Sequence, residues 1–334
     1  MTTTTQATMT AVVQRTYGDD PFEVFGIEEV PRPTVGHKEV LIRTGAAALD
    51  RGTWHVMTGV PLLARMAFGF RAPKVQVPGR DIAGTVEAVG RDVTDFAVGD
   101  EVYGSCGATS SGSFAEFGLA RANRLAPKPA NLSFEQAAAV PISGLTAIQA
   151  VRKAKVQAGQ SVAVLGASGG VGSYVVQIAK AAQAEVTGVC STAKVDLVGG
   201  LGADHVVDYT QRDYAEDGPY DVILDIGGNR TLGELRRALT PKGRLVIVGG
   251  ETDGRWLGGF DRQFRAGLLS PFVGQTLGQV ASLEKAEDLV ALTELIEAGQ
   301  VTPAVERTYP LAEAAAAICH LAAGQARGKL VLTP

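Results

Sequence analysis

The sequence predicts an α/β protein: a doubly wound parallel sheet joined to a second, β-rich domain built from both chain ends. Three observations carry this. Ser161 to Lys194 reads strand, glycine turn, helix, strand, in about the thirty residues that one βαβ unit takes. Strands and helices keep alternating beyond it. The chain then closes on an apolar β segment, Lys329–Leu332, which needs neighbours, and the β-rich N-terminal region supplies them.

Length and composition agree. The chain has 334 residues, room for two domains, and is 46% hydrophobic and 20% charged, enough to bury a sizeable core. A net charge of −4 argues against nucleic acid or an anionic membrane as partner. Cys106, Cys190 and Cys319 are scattered and form no C-x-x-C, which fits a reducing compartment. The opening MTTTTQATMT is polar, unlike a signal peptide, and no apolar run approaches the ~20 residues of a spanning helix. A cytoplasmic protein is expected.

In chain order, residues 1–9 read as a disordered tail. Ala11–Gln14, Glu39–Thr44, Ile82–Val89, Glu101–Tyr103 and Phe114–Gly118 read as strands, separated by turn chemistry such as Pro78-Gly79 and Ser111-Gly112. Between Trp54 and Val77 lies an irregular apolar segment that must be buried, cover a pocket or meet a partner. Ser133-x-x-Gln136 is a capping box, and Ile142–Lys155 follows Pro141 as a second helix. Val162, Val164 and Leu165 suit a strand buried on both faces, and Val171, Val175, Ile178 and Ala179 share one helix face. After the strand Val186–Cys190 come strands His205–Asp208 and Val222–Asp225, helix Leu232–Leu239 and strand Arg244–Gly249. Helix Phe264–Leu269, strand Gln275–Ala281 and helices Glu284–Ala298 and Ala312–Ala323 complete the series. The domains therefore run 10–132 with 284–334, and 133–283. The open edge at Gln275–Ala281 invites a second subunit, so a homodimer is expected.

Glycines at 166, 169, 170 and 172 remove the Cβ atoms that would keep a diphosphate from bare backbone, and the helix N-terminus points N–H groups at it. The spacing differs from the usual G-x-G-x-x-G. At the end of the second strand an NAD site places an acid; this chain has Ser191, Thr192 and Lys194 instead, which suit a 2′-phosphate and hence NADPH. Ligands of such sheets lie at the strands' carboxyl ends, where Tyr209, Ile226-Gly227-Gly228 and Val248-Gly249-Gly250 fall.

LGASGGVGSYVVQIAK, CSTAK, GADHVVDYT, LDIGG and VIVGG, with PGRDIAGTVEAVG and the closing GKLVL, resemble the medium-chain dehydrogenase/reductase superfamily. More narrowly the chain is similar to its zinc-independent, quinone-oxidoreductase-like (zeta-crystallin-like) branch. That resemblance implies a Rossmann domain at 133–283 and a GroES-like catalytic domain. It implies that Ser168, Gly169, Gly170, Val171, Ser191, Lys194 and Tyr209 hold NADPH, with Thr146, Lys329 and Ser270-Pro271-Phe272 approaching it. Asp50, Arg80 and Ala139 stand where zinc relatives carry Cys, His and Cys, with Asp81 at the Glu position; no zinc site is expected. Without a metal, the acceptor should take hydride unaided, as quinones and α,β-unsaturated carbonyls do. Asp50, Thr53 and His55, with Arg51 and Trp54 beside them, are the candidates for bonding the developing oxyanion. Two alternatives stay open: a zinc-free reductase of simple carbonyls or alcohol dehydrogenase, and a low-turnover NADPH-binding redox sensor.

Overall fold

The computed structural model describes residues 7–107, 111–250 and 254–334. They form two compact units. One gathers the chain as far as Ile142 together with Glu284–Glu297 and Val305–Pro334; the other holds Ser143–Leu283 and Ala298–Ala304.

In the first unit, β1 (Thr8–Gln14) and β2 (Phe25–Pro31) pair antiparallel. The strands β3 (Glu39–Ala48), β4 (Asp81–Val89), β5 (Glu101–Ser105), β6 (Phe117–Arg121) and β7 (Leu125–Pro127) follow. The second unit holds β8 (Ser161–Leu165), β9 (Glu185–Cys190), β10 (His205–Asp208), β11 (Tyr220–Asp225), β12 (Leu239–Ile247) and β13 (Thr276–Gln279). The chain then returns to the first unit with β14 (Val305–Pro310) and β15 (Lys329–Thr333).

The first unit's larger sheet runs β14-β15-β3-β4-β5-β7, with β6 also against β3. The closing strand meets the early chain directly: Val331 pairs with Ala48 and Leu332 with Ala47. Alternate residues of β3, β4 and β5 (Val40, Ile42, Ile82, Val86, Val102) interlock with Leu125 as a core, the period-two pattern of a sheet face. The second unit's sheet is parallel throughout, ordered β10-β9-β8-β11-β12-β13. The order reverses between β8 and β11, the switch point at which such sheets bind ligands. Val162, Ala163 and Val164 are fully buried, as a strand covered on both faces requires.

Several expectations shift. Residues 1–6 of the proposed tail lie outside the described residues, but Thr8 and Met9 belong to β1, opposite Pro31 and Val30. A threonine-rich segment can serve as a strand once a partner satisfies its backbone. Phe114–Gly118 is not one strand. Phe114 and Ala115 pair with β1, through Val12 N–H to Phe114 O (2.9 Å) and an Ala11–Ala115 bridge, and β6 begins only at Phe117. The helix Phe134–Ala138 carries both halves of its capping box yet sits in the first unit, so the division falls at Ile142/Ser143 rather than 132/133. β2 and β14 escaped the sequence reading because GIEEV and VERTY offer few apolar residues; among the described residues β2 pairs only with β1, and β14 is an edge strand.

Candidate active site

The glycine turn leaves β8 at the switch point. Gly166 takes φ +82°, a left-handed conformation that favours glycine. The N–H groups of Gly166 and Ala167 both reach Val189 O at 3.1 Å, tying the turn to β9. A Cβ on Gly172 would stand 2.1 Å from Gly166 O, so only glycine lets the Gly170–Ala181 helix pack this closely. Gly169 differs. A Cβ there would meet nothing nearer than Gly166 O at 3.5 Å, so packing does not demand glycine. Gly169 is the helix N-cap and offers its N–H groups no side-chain acceptor. Bare backbone without a packing reason is what a diphosphate needs, and the turn fits one. The unusual spacing also resolves: Ala167-x-Gly169-x-x-Gly172 keeps the fingerprint with alanine first, and Gly166 makes the tight turn one residue earlier.

The neighbouring turns lock onto it. A Cβ built on Gly166 would lie 3.0 Å from Gly227 N, and one on Gly249 would lie 2.0 Å from Ile226 O. Their node is Asp225, an acid ending the apolar strand β11, which the sequence reading passed over. Its main-chain O accepts from Val248 N and Gly249 N, and its Oδ1 from Gly228 N at 3.1 Å. Its Oδ2 meets Arg262 Nη2 at 2.5 Å. Burial pushes the Asp225 carboxyl up, and the Arg262 guanidinium pulls it back.

At the end of β9, Ser191 and Lys194 are half-buried and Thr192 is exposed. An acid does stand nearby. Asp208 pairs with Cys190 across β10 and β9, and its carboxylate accepts from Thr192 Oγ1 (2.5 Å), Thr210 Oγ1 (2.7 Å) and Thr210 N (3.0 Å). Tyr209 follows on this edge, its N–H on Cys190 O at 3.0 Å. Ser168 is buried in the turn, Gly170 and Val171 open its helix, and Thr146 lies half-buried in the Pro141–Ala154 helix ahead of β8.

One expectation is corrected by the strand direction. Pro271 and Phe272 precede β13, which runs parallel to β12, so they stand at the sheet's amino-terminal edge, opposite the glycine turn. Phe272 is 85% exposed there. The carboxyl-end residues of that strand are Gln279 and Val280, whose N–H reaches Ile247 O at 3.2 Å. Lys329 is buried with its Nζ on Asp81 Oδ2 at 2.8 Å. Asp81 Oδ1 accepts from Ile142 N at 2.7 Å. Burial pushes the Asp81 carboxyl up, Lys329 pulls it back, and nearby Asp50 pushes it up again.

Within the first unit, a cavity is walled by Val56, Phe68, Pro73, Val75 and Val77, with Thr53, Lys74, Gly79 and Arg80 adding polar groups and bare backbone. It absorbs part of the apolar segment between Trp54 and Val77, whereas Met66 and Phe70 stay exposed. Asp50 caps the Arg51–Thr58 helix, its Oδ1 accepting from Thr53 N at 2.8 Å and Thr53 Oγ1 at 3.4 Å. His55 Nδ1 lies 2.8 Å from Val60 O. A carbonyl only accepts, so Nδ1 carries the proton, and the neutral ring keeps Nε2 as an acceptor. Arg80 pairs with Glu284, which Arg124 Nη1 also holds at 2.6 Å. The distant Glu284 and Arg124 carried no local sequence signal.

Among the described residues no helix is long and apolar enough to cross a membrane. Residues 36–130 match the model of the alcohol dehydrogenase GroES-like domain, and 201–332 that of zinc-binding dehydrogenases. The chain is 31% identical to the chloroplastic quinone-oxidoreductase QR1 of Triphysaria versicolor, over 92% of this chain and 93% of that protein. It is 34% identical to a chloroplastic NADPH-dependent alkenal/one oxidoreductase of Arabidopsis thaliana, over 90% of this chain and 74% of that one. The solved quinone oxidoreductase of Coxiella burnetii superposes with a TM-score of 0.84 at 26% identity, covering 98% of this chain and 100% of the other. With this fold and this likeness along nearly its whole length, the chain belongs to the quinone-oxidoreductase-like branch of the medium-chain dehydrogenase/reductase family, as an oxidoreductase with the NAD(P)-dependent dehydrogenase fold.

Proposed function

We propose that the enzyme is an NADPH-dependent, metal-free reductase of quinones or α,β-unsaturated carbonyls. The observation that carries this is the set of residues at the family's metal positions: an Asp, an Arg and a fully buried Ala139. One oxygen donor, one cation and one methyl group do not fit zinc, which takes three protein ligands of N, S or O type. An acceptor whose negative charge delocalises onto its own oxygen suits such a site. The relatives named for quinones and for alkenals and alkenones support the same substrate class.

In this reading Gly166, Ser168, Gly169, Gly170 and Val171 cradle the diphosphate, and Ser191, Lys194 and Tyr209 meet the 2′-phosphate. Thr146, Ile226, Val248 and Gly249 complete the cofactor's surroundings. Bound there, the nicotinamide supplies hydride. The protein's part is alignment of the acceptor and a donor for its oxygen. Asp208 does not oppose a 2′-phosphate outright, because its oxygens already accept from two threonines.

Oxidation of NADPH by 9,10-phenanthrenequinone, simple enones and ketones tests the reading. Quinone or enone turnover is expected; ketone turnover alone overturns it. Lys194→Ala should lower NADPH affinity about tenfold while leaving NADH binding unchanged, as loss of one charge-assisted bond implies. An unchanged ratio refutes the phosphate assignment. A homodimer belongs to the same proposal. It is supported by the open edge at β13 and by Phe264, Leu268 and Phe272, 63%, 74% and 85% exposed. A dilution-independent monomer in light scattering rejects it. A cytoplasmic setting is supported by cysteines that are all free.

A further inference from the structure

Two cations line the first unit's cavity, Lys74 and Arg80. Lys74 is exposed, with its Nζ donating to Ala67 O at 3.4 Å. Arg80 is more firmly placed. Its Nη2 is ion-paired with Glu284, whose second oxygen takes Arg124 Nη1 at 2.6 Å. The Glu284 side chain is 10% exposed, so this carboxylate is a fixed clamp. Two guanidinium groups on one carboxylate leave the trio with one positive charge in excess.

Arg80 also lines the cavity, with Gly52 close by. Arg80 Nη1 lies 4.0 Å from the point where a side chain on Gly52 would begin, and Asp50 Oδ1 lies 2.9 Å from that point. Glycine at 52 thus lets the Asp50 carboxylate and the guanidinium approach one point, and Thr53 and Arg80 both line the cavity beside it. The three candidates proposed from sequence are poor donors. Asp50 Oδ1 is taken up as the helix cap, the Thr53 hydroxyl lies within reach of Asp50, and the His55 ring is oriented by Val60 O. Arg80 has five N–H donors in a planar fork.

We propose that Arg80 is the oxyanion-binding catalytic residue, holding the acceptor's carbonyl oxygen as it becomes an enolate or phenolate. This rests on the reductase reading above. In an enone, the β-carbon accepts hydride from the reduced nicotinamide, which leaves oxidised. The C=C pair shifts into the bond between the α-carbon and the carbonyl carbon, and the carbonyl π pair moves onto oxygen. Water later protonates the α-carbon. The guanidinium meets the charge where it accumulates, already oriented by Glu284 and Arg124. A quinone needs this help less, because its product oxyanion is stabilised by a new aromatic ring.

The test compares Arg80→Met, Arg80→Lys and Glu284→Gln. Two readouts apply: kcat/KM for an enone and a quinone, and binding of 4-nitrophenolate to the cofactor-free protein, followed by its absorbance shift. Arg80→Met should lower enone kcat/KM about 10²–10³-fold, the loss typical of one oxyanion donor, with a smaller loss for the quinone and no change in NADPH affinity. Its affinity for 4-nitrophenolate should fall about tenfold or more. Arg80→Lys keeps a charge and should fall between wild type and Arg80→Met; it carries the test if the Met variant fails to fold. Glu284→Gln breaks the same ion pair but keeps the guanidinium, so it should lose less than Arg80→Met in both readouts. An equal loss in Glu284→Gln makes Arg80 structural and overturns the proposal, as does wild-type enone turnover in Arg80→Met. If wild type reduces no quinone or enone, the reductase reading fails by itself. The phenolate titration then still decides Arg80, and equal affinity in wild type and Arg80→Met overturns it.

Discussion

The two units build their sites from different material. In the second, the candidate cofactor surface is mostly main chain: a turn at φ +82°, an uncapped helix start, and glycines at 166 and 249 that let three turns close on one another. In the first, the candidate acceptor site is backed by charged side chains gathered from far apart. Lys329 reaches Asp81 across 248 residues of sequence, and Arg124 reaches Glu284 across 160. A main-chain site needs residues that stay out of the way, and that requirement is written locally. A side-chain site needs charges brought together by the fold.

If that contrast is right, the first unit should fail through unpaired charge and the second through lost space. Lys329→Met is the largest test. It leaves Asp81 buried without its counterion and should lower unfolding free energy in urea by about 3–5 kcal/mol. The sign with pH follows from the carboxyl. Its folded-state pKa, already pushed up by burial, rises further without Lys329. Ionisation then opposes folding, so the deficit should be smallest below the ordinary carboxylate range and grow as pH rises through the folded value. A deficit independent of pH would place the loss in packing instead.

Gly172→Ala comes next. The new Cβ meets the backbone oxygen of Gly166, which cannot rotate away, so the helix must lift from β8. A cost of about 1–3 kcal/mol is expected, the range for overpacking, together with loss of NADPH binding in a fluorescence titration. Gly169→Ala is the smallest and sharpest. Its Cβ has space, so stability should stay within about 0.5 kcal/mol of wild type. NADPH affinity should nevertheless fall about tenfold, as a methyl group displaces one diphosphate contact. Equal losses of stability in the two alanine variants would erase the distinction between a packing glycine and a ligand glycine.

The same division explains what could be read in advance. The β8–turn–helix–β9 unit was legible because strand burial, helix periodicity and glycine placement are all short-range. The capping box at Ser133 and Gln136 was legible for the same reason. Pro271 and Phe272 were misplaced because residues near a strand in sequence can lie at either of its ends, and only the direction of β13 decides which. The partner of Lys329 was not legible, because a lysine in the closing strand gives no sign that a buried aspartate waits opposite. Asp225 could have been found: an acid ending the apolar run Val222–Leu224 must have a partner, though not even that signal names Arg262.

By itself, the sequence determined the βαβ unit and its bare turn, because each depends on side chains a few residues apart. Tertiary structure alone decided which charges neutralise one another: Asp81 with Lys329, Asp225 with Arg262, and Arg80 with Glu284 and Arg124. Buried charges must be paired, and the identity of the partner depends on which distant segments the sheet order brings together.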